Sequence, residues 1–221
     1  GAETGGVFKR NPLRNEDEKL LSAAKHGELD KVRTLIAKGA NVNAKDNEGK
    51  TPLVRAVTNK HEAVVKALLK LKANVDQGDR AGVTPLMFAS KMGSVEIVKL
   101  LLDNGANVNK TDNDRQTALI KTLNVHVASQ LIKKGANVNA QDRDGGTALM
   151  EAVSFDNFKL AELLIRAGAN VNVMNRHKVT PYVKAVTIKA AKYKHSAKNY
   201  KTPMMQLLIA NGASTADPGL K

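Results

Sequence analysis

The five-residue word GANVN occurs four times, at residues 39–43, 105–109, 135–139 and 168–172. A variant, KANVD, begins at Lys72, and a shortened NGAS closes the series with its Gly at Gly212. Counted from Gly39, the steps are 33, 33, 30, 33 and 44 residues. A fixed period of this size marks architectures whose units are each too small to bury their own apolar face and so stack on a neighbour. A globule packed around one centre is therefore not expected.

A second word keeps step twelve residues downstream: TPL at Thr51 and Thr84, TAL at Thr117 and Thr147, TPY at Thr180. Thr can accept a hydrogen bond from an orphan amide at a helix start, and Pro at the first helical position loses only an N–H that had no partner. The Gly of GAN suits the left-handed residue that ends a helix, and the Asn and Asp after it favour turns. Between these marks lie two short apolar patterns. In the second unit Leu53, Ala56 and Val57 stand at helical spacing, the pattern breaks near residues 59–61, and Val64, Val65, Leu68 and Leu69 resume it. The spacing predicts two short helices per unit, the first lined by small residues and the second by bulkier ones.

The period, the D-x-x-G-x-T-P-L start (Asp46, Gly49, Thr51, Pro52, Leu53; Asp79, Gly82, Thr84, Pro85, Leu86) and the G-A-N-V-N end resemble the ankyrin-repeat family. The resemblance covers about residues 16–214. It implies an all-α ankyrin-repeat solenoid of about six helix-turn-helix units with short hairpin loops, at about 16–45, 46–78, 79–111, 112–141, 142–174 and 175–214. The first unit lacks TPL but keeps Leu20, Ala23, Gly27, Leu35 and Ile36 in register, as a polar end cap would. Departures from the pattern are also informative. Lys72 stands where Gly is expected, at a strain of about 1 kcal/mol. Arg115 and Lys178 replace the Gly before Thr, so those two hairpins are expected to be reshaped. The fourth unit carries a three-residue deletion between Thr117 and Gly135, and the sixth an eleven-residue insertion between its helices, Thr180 to Gly212.

By length the chain reads as one elongated domain, with an apolar fraction of 42% and aromatics at only 3%, the composition of a core built from Ala, Leu and Val. Residues 1–15 read as a flexible tail and 215–221 as a C-terminal one. No stretch of eighteen apolar residues suggests a membrane span. The absence of Cys excludes disulfides, thiol nucleophiles and Cys-based zinc sites. The first residue is Gly, so a removed leader is compatible with the sequence and the compartment stays open between intracellular and exported. Net charge is +14, and after Glu162 the only acid is Asp217 against ten Lys and Arg. That one-sign field attracts anionic partners.

The resemblance implies a protein partner held on the hairpin tips and the exposed side of the first helices, which form a concave face. Carried over position by position, the tips are represented by Arg80, Arg143, Arg176 and His177. The helix positions are represented by Arg55, Asn59, Phe88, Lys91, Met92, Lys121 and Phe155. Phe88, Met92 and Phe155, flanked by Arg and Lys, have the chemistry of an interface anchor, although Met92 equally reads as turning into the stack. The partner is expected to be acidic and the chain a monomer.

The alternative is polyanion binding through Lys184, Lys189, Lys192, Lys194, Lys198 and Lys201, with Tyr193 and Tyr200 as stacking platforms and nucleic acid, anionic lipid or acidic glycan as ligand. No nucleic-acid motif accompanies this run, and a solvated helix and loop that use Lys for polarity account for it somewhat better. Catalytic signals are weak. His61-Glu62 opens like a zinc-protease motif, but Val65 stands where its second His belongs. The five His are dispersed, the repeated Asp46, Asp79, Asp112 and Asp142 read as turn formers, and no Ser lies in a nucleophile elbow. Asn109-Lys110-Thr111 is a glycosylation sequon whose Asn belongs to the repeat's own word. No cofactor, metal or catalytic residue is assigned.

Overall fold

The computed structural model describes residues 14–193 and 200–220, and the described residues form twelve α-helices, one short 3-10 turn and no strand. The chain divides into two compact units, residues 1–73 and 74–221. The tail expected at the N-terminus lies outside the described residues except for residues 14 and 15, and Asn15 already opens the first helix.

The first unit holds α1 (Asn15–Lys25), α2 (Leu29–Ala37), α3 (Pro52–Thr58) and α4 (Glu62–Lys70). Here α1 packs on α3 and α2 on α4. Leu20, Leu53 and Leu68 are fully buried between them. The second unit holds α5 (Pro85–Met92), α6 (Val95–Asp103), α7 (Ala118–Lys121), α8 (Val125–Lys133), α9 (Ala148–Ser154), α10 (Phe158–Arg166), α11 (Pro181–Lys192) and α12 (Pro203–Ala210). Its first helices α5, α7, α9 and α11 pack in chain order, and so do its second helices α6, α8, α10 and α12. Buried Ala89, Ala118, Ala148, Ala152 and Ala185 let the first helices approach closely, while Ile97, Leu101, Leu131, Leu160 and Leu164 fill the volume on the other side. Each such buried Leu contributes about 1.5–3 kcal/mol.

The helix starts follow from Thr. The Oγ1 of Thr51, Thr84, Thr117, Thr147 and Thr180 accepts the N–H three residues on, at 3.2–3.3 Å, and all five residues are buried. The helix ends follow from the left-handed residue: Gly105, Gly135 and Gly168 have φ of 84°, 89° and 98°, and Lys72 takes the same turn at 68°. In the hairpins, one oxygen of Asp79, Asp112 or Asp142 accepts two backbone N–H groups, and Asn175 does likewise. The reshaping expected at Arg115 and Lys178 does not occur. Both adopt the left-handed turn, at 60° and 59°, close to the 76° of Gly82. Both donate to the carbonyl of the turn-forming residue, Asp112 or Asn175, as Gly82 does to Asp79. The two-pronged side-chain acceptor fixes the turn, and the Cβ tolerates it at a cost of about 1–2 kcal/mol.

The GANVN word has a structural meaning in the second unit. Its last Asn clamps the following repeat through both amide atoms. Asn109 accepts from the Asn137 N–H at 2.7 Å and donates to the Gly135 carbonyl at 3.0 Å. Asn139 does the same to Asn170 and Gly168, and Asn172 to Ser214 and Gly212. The first Asn of each word bends the loop by accepting the N–H two residues on. Asp76, in the variant word, accepts from the Asn107 N–H at 2.9 Å and, as a carboxylate, has no hydrogen to donate. In the first unit the acceptor comes from a helix start: buried Asp17 takes the Asn41 N–H at 2.8 Å.

Two helices depart from the common length. α7 has four residues, against seven or eight in α3, α5 and α9, because Thr122 is extended at φ −93°, ψ 140° and Asn124 immediately caps α8. α11 has twelve residues, and the segment joining it to α12 includes the undescribed residues 194–199.

Two substitutions test this account. Lys72→Gly is expected to raise the urea midpoint, by about 1 kcal/mol in stability, since it relieves a left-handed Cβ without touching a contact. Asn139→Ala is expected to cost about 1–2 kcal/mol and Asn139→Asp about half as much, because Asp keeps the acceptor and loses the donor. Equal losses in urea titrations of the two would disprove the two-atom clamp.

Candidate functional site

The hairpin tips and first helices of each unit carry the candidate residues on one of its solvent-facing sides. In the first unit Arg55, half-buried on α3, forms an ion pair with Asp46 of the hairpin. Burial would push the Asp46 carboxyl up, but the N–H of Lys50, the Arg55 guanidinium and the N–H of Glu48 outweigh it and hold the group below the usual carboxylate range. Asn59 donates to the Arg55 carbonyl at 2.7 Å. With Glu18, Leu21, Ser22, Lys25 and His26 of the α1 face, Asp46 and Arg55 line an open cleft of about 310 Å³.

In the second unit the cations at the tips are largely engaged within the protein. Arg143 donates to the Asn113 carbonyl, and Arg176 pairs with Asp144 at 3.0 Å beside exposed His177. Arg80 is exposed on its hairpin and forms no ion pair among the described residues. On the helices, Phe88 and Met92 are half-buried, Lys91 is exposed, and Phe155, the residue after α9, is 64% exposed. Lys121 is almost enclosed. Its ammonium lies 2.8 Å from the buried Asp112 carboxylate and 3.1 Å from the Gln116 amide oxygen. Its charge is therefore neutralised inside the face.

The structure gathers three of the candidates, Lys91, Lys121 and Phe155, around a cleft of about 330 Å³ completed by Gln116, Ile120, Leu123 and Glu151. Phe88, Met92 and the hairpin tips stand outside it. Ile120 and Leu123 escape a repeat-by-repeat reading because the cleft exists only where α7 stops early. The sequence signal is the 30-residue step. Glu151 is half-buried on the α9 side. Burial is the main cause that pushes its carboxyl up, Asp142 adds to it, and Lys184 opposes both.

Of the basic run, Lys184 lines a second recess with Asp142, Asp144 and Glu151. Lys189 donates to the Tyr200 carbonyl and stands 5.5 Å from that ring's centre, and Lys192 stands 5.5 Å from the Tyr193 ring. Lys201 is exposed, and Lys194 and Lys198 lie outside the described residues. The two tyrosines stand about half exposed, each beside a lysine of the same segment.

His61 bonds the Lys25 carbonyl through Nε2 at 2.9 Å. Among the described residues no three His, Cys, Asp or Glu side chains gather as a metal site, and no helix is long and apolar enough to cross a membrane. At the sequon, Nδ2 of Asn109, the atom a glycan would take, is the donor of the clamp to Gly135.

The family model for ankyrin repeats, described as ankyrin repeats in three copies, matches residues 20–112 and 109–175, more than half of the chain. Among curated proteins no match is found.

The cleft separates two kinds of residue. Lys121→Ala is expected to cost about 3 kcal/mol in urea unfolding, since it strips a buried carboxylate of its cation, whereas Phe155→Ala leaves stability within about 0.5 kcal/mol. Equal losses for the two would mean that Phe155 is a packing residue.

Proposed function

Because the chain belongs to the ankyrin-repeat family, whose repeats are in general protein–protein interaction modules, we propose that it is a noncatalytic module that captures an acidic protein partner. The contact face is the one made by hairpin tips and first helices, the concave side in that family's fold. The observation that carries this reading is Phe155, a large apolar side chain 64% exposed at the end of a first helix, with exposed Lys91 across the same cleft. An exposed aromatic holds apolar surface against water in the free protein, and removing that surface from water favours the complex when a partner covers it.

Two further features support the assignment. Within the second unit the clamps and turn acceptors tie successive repeats together, so little conformational entropy is lost there on docking. The net charge of +14 favours encounter with an acidic surface. An interface of ordinary size would bury about 800 Å² on each partner. The basic run has less support as a nucleic-acid platform, since Lys189 and Lys192 each stand over a tyrosine of their own segment.

Capture from native lysate at two salt concentrations, followed by identification of the partner and titration calorimetry on the pure pair, tests the proposal. Phe155→Ala and Arg80→Ala are expected to weaken the complex, Phe155 by about thirtyfold as an anchor and Arg80 by less. Exchanging Lys192 and Lys201 for Ala is expected to change the affinity less than threefold. Dominant loss from the lysine changes, with a steep sequence-blind salt dependence, would instead assign the ligand to the polyanions.

A further inference from the structure

The cleft beside Phe155 owes its existence to one irregularity. α5 and α9 flank α7, and both run a full turn further than it does. Where that turn is missing, the chain at Thr122 is extended, and the side chains of Ile120 and Leu123 form an apolar floor between Lys91 on one wall and Glu151 and Phe155 on the other. Ile120 is 4% exposed, Leu123 38% and Phe155 64%. The volume of about 330 Å³ is at the low end of ligand clefts, which run from about 300 to 1,000 Å³.

The polar groups around that floor are unequal. Lys121 is already neutralised by Asp112. Lys91 is exposed and makes no ion pair among the described residues, so the α5 lip carries an available positive charge. Glu151, on the opposite wall, takes part in no ion pair either, but it is half-buried and lies under the influence of Lys184. An occupant therefore meets an apolar floor, a cation at one lip and a carboxylate at the other wall.

Resting on the proposed protein-binding function, we propose that this notch is the specificity pocket of the module: it takes one leucine- or phenylalanine-sized side chain of the acidic partner, with a neighbouring carboxylate of that partner meeting Lys91. The apolar side chain covers Ile120, Leu123 and Phe155. The flanking acid lies toward α5, away from Glu151. A repeat of full length would fill the notch with its own helix, so the missing turn of α7 is what gives this face its selectivity.

The test uses acidic peptides of one frame, acetyl-Glu-Asp-Gly-X-Gly-Glu-Asp-amide, with X as Phe, Leu, Ala or Lys, titrated into the full ¹⁵N-labelled chain. The Phe and Leu peptides are expected to shift the amides of Ile120, Leu123 and Phe155 and to bind at least tenfold more tightly than the Ala peptide. Phe155→Ala, and separately an Ala-Val-Ser insertion after Lys121 that continues α7, are each expected to abolish that preference. If the insertion fails to fold, Phe155→Ala carries the test alone. Equal binding of the Phe and Ala peptides overturns the pocket, and acidic peptides that still shift the tips and first helices then leave the broader interaction reading intact. Tightest binding by the Lys peptide also overturns it, by assigning the notch to a cation through Glu151. Peptides that shift no amide on these faces overturn both readings together.

Discussion

In the second unit the side-chain amide of one asparagine fixes the position of the next repeat. Oδ1 and Nδ2 of Asn109, Asn139 and Asn172 reach an N–H and a carbonyl that lie two residues apart in the following word, and only a carboxamide offers an acceptor and a donor at that separation. Both bonds form only when the two loops are in one register. This is why the word GANVN recurs unchanged while the helices between copies vary freely. The apolar faces supply most of the energy, but they are non-directional and would tolerate a sliding contact. The clamp is the directional part.

Length can then change only where the clamp does not reach. The shortened α7 and the lengthened α11 both lie between the Thr that opens a first helix and the Gly that ends a second one. Neither disturbs a clamp, and the second helices α8 and α10 keep the nine residues of α6. The hairpins obey the same logic at smaller scale. Asp112 and Asn175 each hold two N–H groups, so Arg115 and Lys178 are carried into a left-handed turn that their side chains alone would not choose.

The helical repeats were legible in the sequence because their signals are local: Thr before Pro, Gly after the last apolar residue, and apolar spacing between them all act within a few residues. The left-handed Lys72 was legible for the same reason. What escaped is non-local. That Lys121 is enclosed by Asp112 depends on a hairpin nine residues earlier folding back over α7. A list of repeat positions assigns both Lys91 and Lys121 to an exposed lysine surface, yet one is a lip and the other a strut. The notch is still less visible, since Leu123 counts as an ordinary apolar residue until α7 is found to stop short and leave it 38% exposed beside buried Ile120.

On the proposed function, the face divides its labour by range. Charge of one sign acts over about a Debye length, roughly 8 Å at physiological salt, and speeds the encounter with an acidic surface without choosing among such surfaces. Choice requires contacts that only one partner can complete. Of the tip cations, Arg143 and Arg176 contribute little to it, because both already have acceptors within the unit and would have to exchange one bond for another. The apolar floor of Ile120 and Leu123 beside Phe155 makes no such exchange, since these side chains have no hydrogen bond to give up when a matching side chain covers them. On the proposed function, lysines set how often a partner arrives and the cleft sets how long it stays, so affinity differences among acidic partners reside in the dissociation rate.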